Sequence, residues 1–181
     1  MKSFLSFIWE ITKIVIIALL IVVPIRAFLF QPFFVRGESM APAFENGDYL
    51  IIDEISYRFR DPQRGEVIVF KYPDNPSQRY IKRIIGLPGE TVEIKDGRVM
   101  ISGQKEPYAL DESDYLSSDI FTLGETLISL AEDEYFVLGD NRRASADSRR
   151  WGSLGRKNII GRVLLRAWPF TALAKIEAPE Y

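Results

Sequence analysis

The chain begins with a long apolar stretch. From Phe4 to Phe30, Ile, Val, Leu and Phe dominate, interrupted by Glu10, Lys13, Pro24 and Arg26, and no charge occurs between Ile14 and Ile25. About twenty such residues, each rising about 1.5 Å, cross a bilayer core, so the pattern predicts one N-terminal transmembrane helix within residues 1–30. Glu10 and Lys13 stand three apart and can partly neutralise each other on a helix. A cleaved secretory leader is the competing reading, since Lys2 and Lys13 precede an apolar run of suitable length. After Ile25, however, come Arg26, Ala27, Phe28, Leu29 and Phe30, with no pair of small residues at the spacing cleavage requires, which favours an uncleaved anchor. Lys2 and Lys13 on one side nearly balance Arg26 and Arg36 on the other, so charge leaves the orientation open.

Beyond Val35 the pattern shifts to short β-rich runs: Tyr49 to Ile52, Val67 to Phe70, Tyr80 to Ile85, Thr91 to Ile94, Val99 to Ile101, Tyr135 to Leu138 and Val163 to Trp168. Asn46-Gly47, Pro88-Gly89 and Asp96-Gly97 are turn dipeptides between them, the last placed where a two-residue hairpin closes. Neither a βαβ alternation nor a strong soluble helix is apparent, so residues 31–181 read as a mainly β domain. From Glu106 to Glu134 acidic residues recur without a single Lys or Arg, interleaved with Tyr108, Leu110, Tyr115, Leu116, Ile120 and Phe121. That stretch reads as a surface excursion, part of a small subdomain inserted over about residues 97–134. A solvated acidic face explains it better than an ion site.

Composition narrows the chemistry. With 181 residues, 47% of them apolar, and a net charge of −2, the chain suits one ordinary domain plus a short appendage. Basic residues cluster no further than pairs such as Arg142-Arg143 and Arg149-Arg150, which gives nucleic acid no electrostatic footprint. The absence of cysteine excludes disulfides and a thiolate nucleophile. The absence of histidine excludes a Ser-His-Asp triad, His-ligated zinc or haem, and an imidazole proton shuttle. Hydrolytic chemistry here must recruit carboxylate, lysine or tyrosine.

Three segments offer such groups. Ser39 lies in Gly37-Glu38-Ser39-Met40-Ala41-Pro42, which is not a Gly-x-Ser-x-Gly elbow; alone it reads as a turn former. Lys82 lies in Arg79-Tyr80-Ile81-Lys82-Arg83-Ile84-Ile85-Gly86. Strand alternation puts Lys82 on the face of Tyr80 and Ile84 and Arg83 on that of Ile81 and Ile85, so one of two adjacent cations points toward a packed face. A snorkelling edge lysine is the plain alternative. Burial without a carboxylate partner would bring its pKa from about 10.4 toward neutrality at a cost of about 3–4 kcal/mol, leaving an amine able to take a proton from Ser39. The third segment, Gly139 to Gly152, follows the apolar strand Tyr135 to Leu138, where a scaffold presents a functional loop. Asp140, Asn141, Asp147 and Arg149 read as the ion-paired frame of that loop, and the Ser145 hydroxyl could orient the lysine amine.

Taken in order, these segments resemble the bacterial type I signal peptidases. The resemblance spans nearly the whole chain: the apolar anchor, Ser39-Met40-x-Pro42, Arg64-Gly65-Glu66-Val67-Ile68-Val69-Phe70, Tyr80 through Glu90, and the Gly139-Asp140-Asn141 to Gly152 loop. It implies a Ser39 nucleophile and a Lys82 general base working through an acyl-enzyme, with Ser145 positioning the lysine and Asp147 and Arg149 holding the frame. The Ser39 backbone N–H would serve as oxyanion donor. Some members carry a serine as a second donor where this chain has Gly37. The implied substrates are preprotein signal peptides with small residues at the first and third positions before the cut, bound as an extended strand, with Phe34, Met40 and Ile81 as pocket walls. No cofactor and no metal are implied. The lipid bilayer is an expected partner, with room for the secretion translocon, and the N-terminus would be cytoplasmic with residues 31–181 outside. Self-cleaving stress-response repressors share the Ser/Lys chemistry, but their DNA-binding members carry a helix-turn-helix where this chain has an anchor; eukaryotic-type signal peptidases use histidine as base. A membrane-tethered, catalytically silent binding module on the same fold is the alternative from another class.

Overall fold

A computed structural model describes residues 2–24, 30–103 and 106–179. The end of the predicted anchor, residues 25–29 with Arg26, lies outside the described residues. Helix α1 (Lys2–Pro24) is 23 residues long, and its described side chains, Phe4 and Ser6 through Leu20, are all exposed. Among the described residues no helix is long and apolar enough to cross a membrane.

Each of the seven runs read from the sequence falls within a strand. β1 (Phe30–Phe34), β2 (Tyr49–Asp53), β3 (Val67–Tyr72), β4 (Asn75–Gly86), β9 (Glu134–Leu138), β10 (Leu154–Gly155) and β11 (Ile159–Trp168) form the main sheet, in the order β1-β2-β11-β3-β4-β9-β10. A short strand, β12 (Ala174–Lys175), pairs with β11. Its neighbouring strands all pair antiparallel, which suits a sheet joined by hairpins and short connections. β1 contains Pro32, which has no N–H to give a ladder, and the strand accordingly lies at the sheet edge.

β3 shows why the central strands read as unbroken apolar runs. Val67 and Val69 enter one core with Met40, Phe44, Leu50 and Ile81, while Ile68 and Phe70 enter a second with Ile84, Tyr135 and Val137. A strand covered on both faces has no polar side to alternate with. The same double cover buries the last six residues of β4, Ile81 to Gly86, although its first five, Asn75 to Arg79, are exposed.

A second sheet, in the order β7-β6-β5-β8, is inserted between β4 and β9 and comprises β5 (Thr91–Lys95), β6 (Arg98–Ser102), β7 (Tyr108–Ala109) and β8 (Thr126–Ser129). Lys95 pairs with Arg98 across Asp96 and Gly97, both at positive φ (51° and 77°), the backbone a tight hairpin turn demands and Asp-Gly tolerates. Val92, Ile94, Val99 and Ile101 bury the inner face of this sheet against Ile85, Phe136 and Leu138 of the main one. The acidic segment is less solvated than its composition suggests. Leu110, Leu116 and Thr122 are buried, and Glu112 and Thr122 accept hydrogen bonds from Arg142 of the Gly139–Gly152 loop.

Candidate active site

Ser39 occupies the turn joining β1 to β2. Backbone bonds from Val35 to Asp48 and from Gly47 to Val35 close the base of that turn, and Met40 and Phe44, each 1% exposed, sink into the core on either side of the Ala41-Pro42 step. Gly37 stands at φ +86° and donates its N–H to Asn46 Oδ1 at 3.0 Å; space beside its Cα is open, so glycine is required there for backbone shape and not for room. These anchors leave Ser39 half-buried at the wall of a cleft.

β4 brings Lys82 to the same place, opposite Ile68 of β3 and alongside the ring of Tyr80, which lies 5.6 Å from the amine. The shared face of Tyr80 and Lys82 is the one that alternation predicts. Lys82 is 3% exposed, and its Nζ lies 2.7 Å from Ser39 Oγ while donating to the Ile81 carbonyl at 2.7 Å. Burial lowers its pKa to about 8, against a smaller upward pull from the Asp147 and Asp140 charges. A neutral amine held by the Ile81 carbonyl can accept the Ser39 hydroxyl proton over that 2.7 Å.

The neighbouring cation is buried as well, which alternation did not foretell. Arg83 is 4% exposed; its Nε and Nη2 bind the two oxygens of Asp140 at 2.9 and 2.7 Å, its Nη1 donates to the Gly65 carbonyl at 2.8 Å, and its guanidinium lies 4.0 Å from the Tyr115 ring centre. The difference between the two cations is their partners. Arg83 has a bidentate carboxylate, whereas Lys82 has none.

The loop from Gly139 to Gly152 closes the site. Asp147, fully buried, caps the short helix α2 (Ser148–Trp151), accepts from Arg149 Nε and Nη2 at 2.8 Å each, and accepts the Gly139 N–H at 3.1 Å. Burial pushes the Asp147 carboxyl upward, but the Arg149 hydrogen bonds and charge outweigh it and hold the group below the ordinary carboxylate range. Arg149 also donates to the Arg142 and Leu123 carbonyls, tying the loop to the inserted segment. Asp147 and Arg149 therefore stand together, as expected. Ser145 makes no hydrogen bond to the lysine. Among the described residues its buried hydroxyl makes no hydrogen bond, although it lies near enough to Asp147 to favour the ionised carboxylate. It packs against Gly139, where a Cβ would overlap both Ser145 and the Ser39 carbonyl. The amine's second partner is the Ile81 carbonyl instead.

Ser39 and Lys82 open onto a cleft of about 780 Å³, whose lining includes Pro32, Phe33, Phe34, Arg79, Tyr80, Ile81, Ala144 and Ala146. Phe34, 59% exposed, and Ile81 are where pocket walls were expected. Met40 is not: its side chain is spent on the core, anchoring the turn that carries Ser39. Ala144 and Ala146 were missed, although the alternation in Ala144-Ser145-Ala146-Asp147 signals them, because two buried polar residues leave the alanines facing out. A second cavity, of about 490 Å³ between Phe44, Tyr115 and Ile176, contains neither Ser39 nor Lys82. Among the described residues no cluster of carboxylates is gathered to hold a metal.

Residues 8–168 match the family described as signal peptidase, peptidase S26. The chain is 40% identical to a signal peptidase I of Leptolyngbya laminosa, covering 92% of this chain and 83% of that protein, and 37% identical to a signal peptidase I of Bacillus amyloliquefaciens, covering 90% and 89%. The crystal structure of a signal peptidase I from Enterococcus faecalis V583 is 36% identical and covers 57% of this chain and 97% of that one, with a TM-score of 0.48. With a cleft that joins Ser39 to a buried lysine and a family match running from α1 to the end of β11, the chain belongs to the S26 signal peptidase family.

Proposed function

We propose that this protein is a membrane-tethered serine endopeptidase that removes N-terminal signal peptides from exported preproteins, with Ser39 as nucleophile and Lys82 as general base. The observation that carries this reading is the 2.7 Å approach of Lys82 Nζ to Ser39 Oγ in a site that buries the lysine without a carboxylate partner. Ser39 Oγ attacks the scissile carbonyl carbon while its proton passes to Lys82 Nζ. The resulting oxyanion collapses, Lys82 returns the proton to the leaving amine, and an ester to Ser39 remains. Water, deprotonated by the same amine, then hydrolyses that ester.

Among the described residues the Ser39 N–H donates no hydrogen bond, which leaves it to meet the oxyanion. Gly37 supplies no side-chain donor, and its positive φ disfavours any replacement that would. Asp147 and Arg149 keep the loop closed over the pair. The alanine pair Ala144 and Ala146, with Phe34 and Ile81, gives an extended peptide shallow apolar seats that fit small side chains. Residues 1–30 act as the anchor, N-terminus in the cytoplasm, and the domain from 31 onward works outside. The exposed apolar side chains of α1, among them Phe7, Trp9, Ile14 and Leu20, support a lipid environment for that helix. Tethering raises the effective concentration of a cleavage site held at the same bilayer surface.

The active form of the base is the neutral amine, so the cleavage rate should be low at pH 6, rise through a midpoint near 8, and level off above it. A rate profile for a detergent-solubilised enzyme and a short peptide with alanines at the first and third positions before the cut checks this. A flat profile between pH 6 and 10 removes Lys82 from the base's role.

A further inference from the structure

Asn141 lies in the closing loop, and its hydrogen bonds converge on one spot. Its side-chain Nδ2 donates to the Glu38 carbonyl at 3.0 Å, and its backbone N–H donates to the Ser39 carbonyl at 3.1 Å. Its Oδ1 accepts the Ala144 N–H at 3.2 Å, which fixes the amide's orientation. The two carbonyls it holds flank the Ser39 Cα. A trans peptide unit is planar, with its C=O and N–H pointing in opposite directions, and the Glu38-Ser39 bond is trans. The Glu38 oxygen also accepts the Ala41 N–H at 3.1 Å, so Asn141 adds a second bond to an oxygen the turn already holds; with that oxygen facing Asn141, the Ser39 N–H points away from the loop, where among the described residues it meets no acceptor. The bond to the Ser39 oxygen fixes the next peptide plane, so the residue cannot swivel between them.

We infer that Asn141 is a positioning residue that aims the Ser39 N–H at the developing oxyanion. The inference rests on Ser39 being the nucleophile. A donor has to be in place before the charge forms, and one whose peptide plane is held by the Ala41 bond alone can rock off line and stabilise less. Gly37 offers no second side-chain donor, so alignment of this one matters more here. The geometry also gives Asn141 a task that an ion-paired loop frame does not require.

Two variants separate the roles. Asn141→Asp keeps the shape and the acceptor for Ala144 but replaces the donor to Glu38 with a repelling oxygen; Asn141→Ala removes the side chain and keeps the backbone bond. Both are compared with wild-type full-length protein in detergent, on the high-pH plateau, because the added carboxylate would otherwise favour protonated Lys82. The readouts are kcat, KM, thermal midpoint, and affinity for a peptide aldehyde. On capture Ser39 Oγ bonds to the aldehyde carbon, the carbonyl electron pair moves to oxygen, and the hydroxyl proton passes to Lys82. The expected result is a fall in kcat of about 10- to 100-fold with KM changed less than about threefold, and a matching loss of aldehyde affinity. Unchanged kcat and aldehyde affinity overturn the inference, as does a loss spread equally over kcat and KM with a lowered thermal midpoint, which marks a merely structural residue. Wild-type protein that neither cleaves the peptide nor captures the aldehyde overturns the reading of Ser39 and this inference with it; wild type that does both, matched by its variants, overturns the inference alone.

Discussion

Lys82→Met should abolish peptide cleavage, by at least about 10⁴-fold, while making the folded protein more stable at neutral pH. The loss follows from removing the group positioned to take the Ser39 proton. The gain follows from linkage. The folded-state pKa of about 8 lies below the ordinary lysine value of 10.5, so charging this amine in its dry site costs up to about 3 kcal/mol. That penalty is fully present below about pH 8, where folded and unfolded chains both carry the proton. It is relieved as pH rises from about 8 toward 10.5, where the folded protein has released a proton that the unfolded chain still binds. Methionine fills similar space without charge, but it forfeits the bonds to Ser39 and Ile81, so a net gain of about 1–3 kcal/mol is expected below pH 8, shrinking above it. Thermal unfolding at pH 7 and pH 10 checks the sign: an advantage for the variant that grows with pH would contradict it.

The largest stability effect should come from Asp140→Ala. This carboxylate is fully buried and meets Arg83 with both oxygens, so its removal leaves a guanidinium uncompensated in the interior, at a cost of about 3–5 kcal/mol. Against a total stability of about 5–15 kcal/mol, that predicts a fall in thermal midpoint of about 10 °C. Replacing both partners, Arg83→Met with Asp140→Leu, should recover much of the loss, since the harm lies in the orphaned charge. A kinetic signature accompanies it. The Asp140 charge helps hold Lys82 protonated, so in Asp140→Ala the pH–rate midpoint should move below that of wild type. A midpoint that stays put or rises would show that the two groups do not communicate.

Much of the β framework was legible because hydrophobic pattern and turn chemistry agree along it. Asp96-Gly97 closes the hairpin its sequence announces, and Val67 to Phe70 reads as a strand wherever its faces are covered. What escaped notice was short or supported from afar. β7, β10 and β12 have two residues each, too few for a period, and β1 is masked by Pro32. In the site, Ser39 and Lys82 are 43 positions apart, and no local pattern states their distance. Alternation placed Lys82 correctly beside Tyr80 but said nothing of the Asp140 that lets Arg83 be buried too, because that partner comes 57 positions later. Met40 was expected as a pocket wall only through the family resemblance. Its side chain instead went to the core, where an apolar group next to an exposed turn gains most. Ser145 carried the right kind of group for orienting an amine, but the amine's hydrogen bond goes to the Ile81 carbonyl.

The central claim is that Ser39, activated by Lys82, cuts a peptide bond that follows small residues. The most direct measurement is the mass of the products when a peptide bearing a single Ala-x-Ala site is incubated at pH 9 with wild-type protein and with Ser39→Ala. Wild type should give one cut, after the second alanine, and the variant none. Cleavage at that bond that survives Ser39→Ala would contradict it.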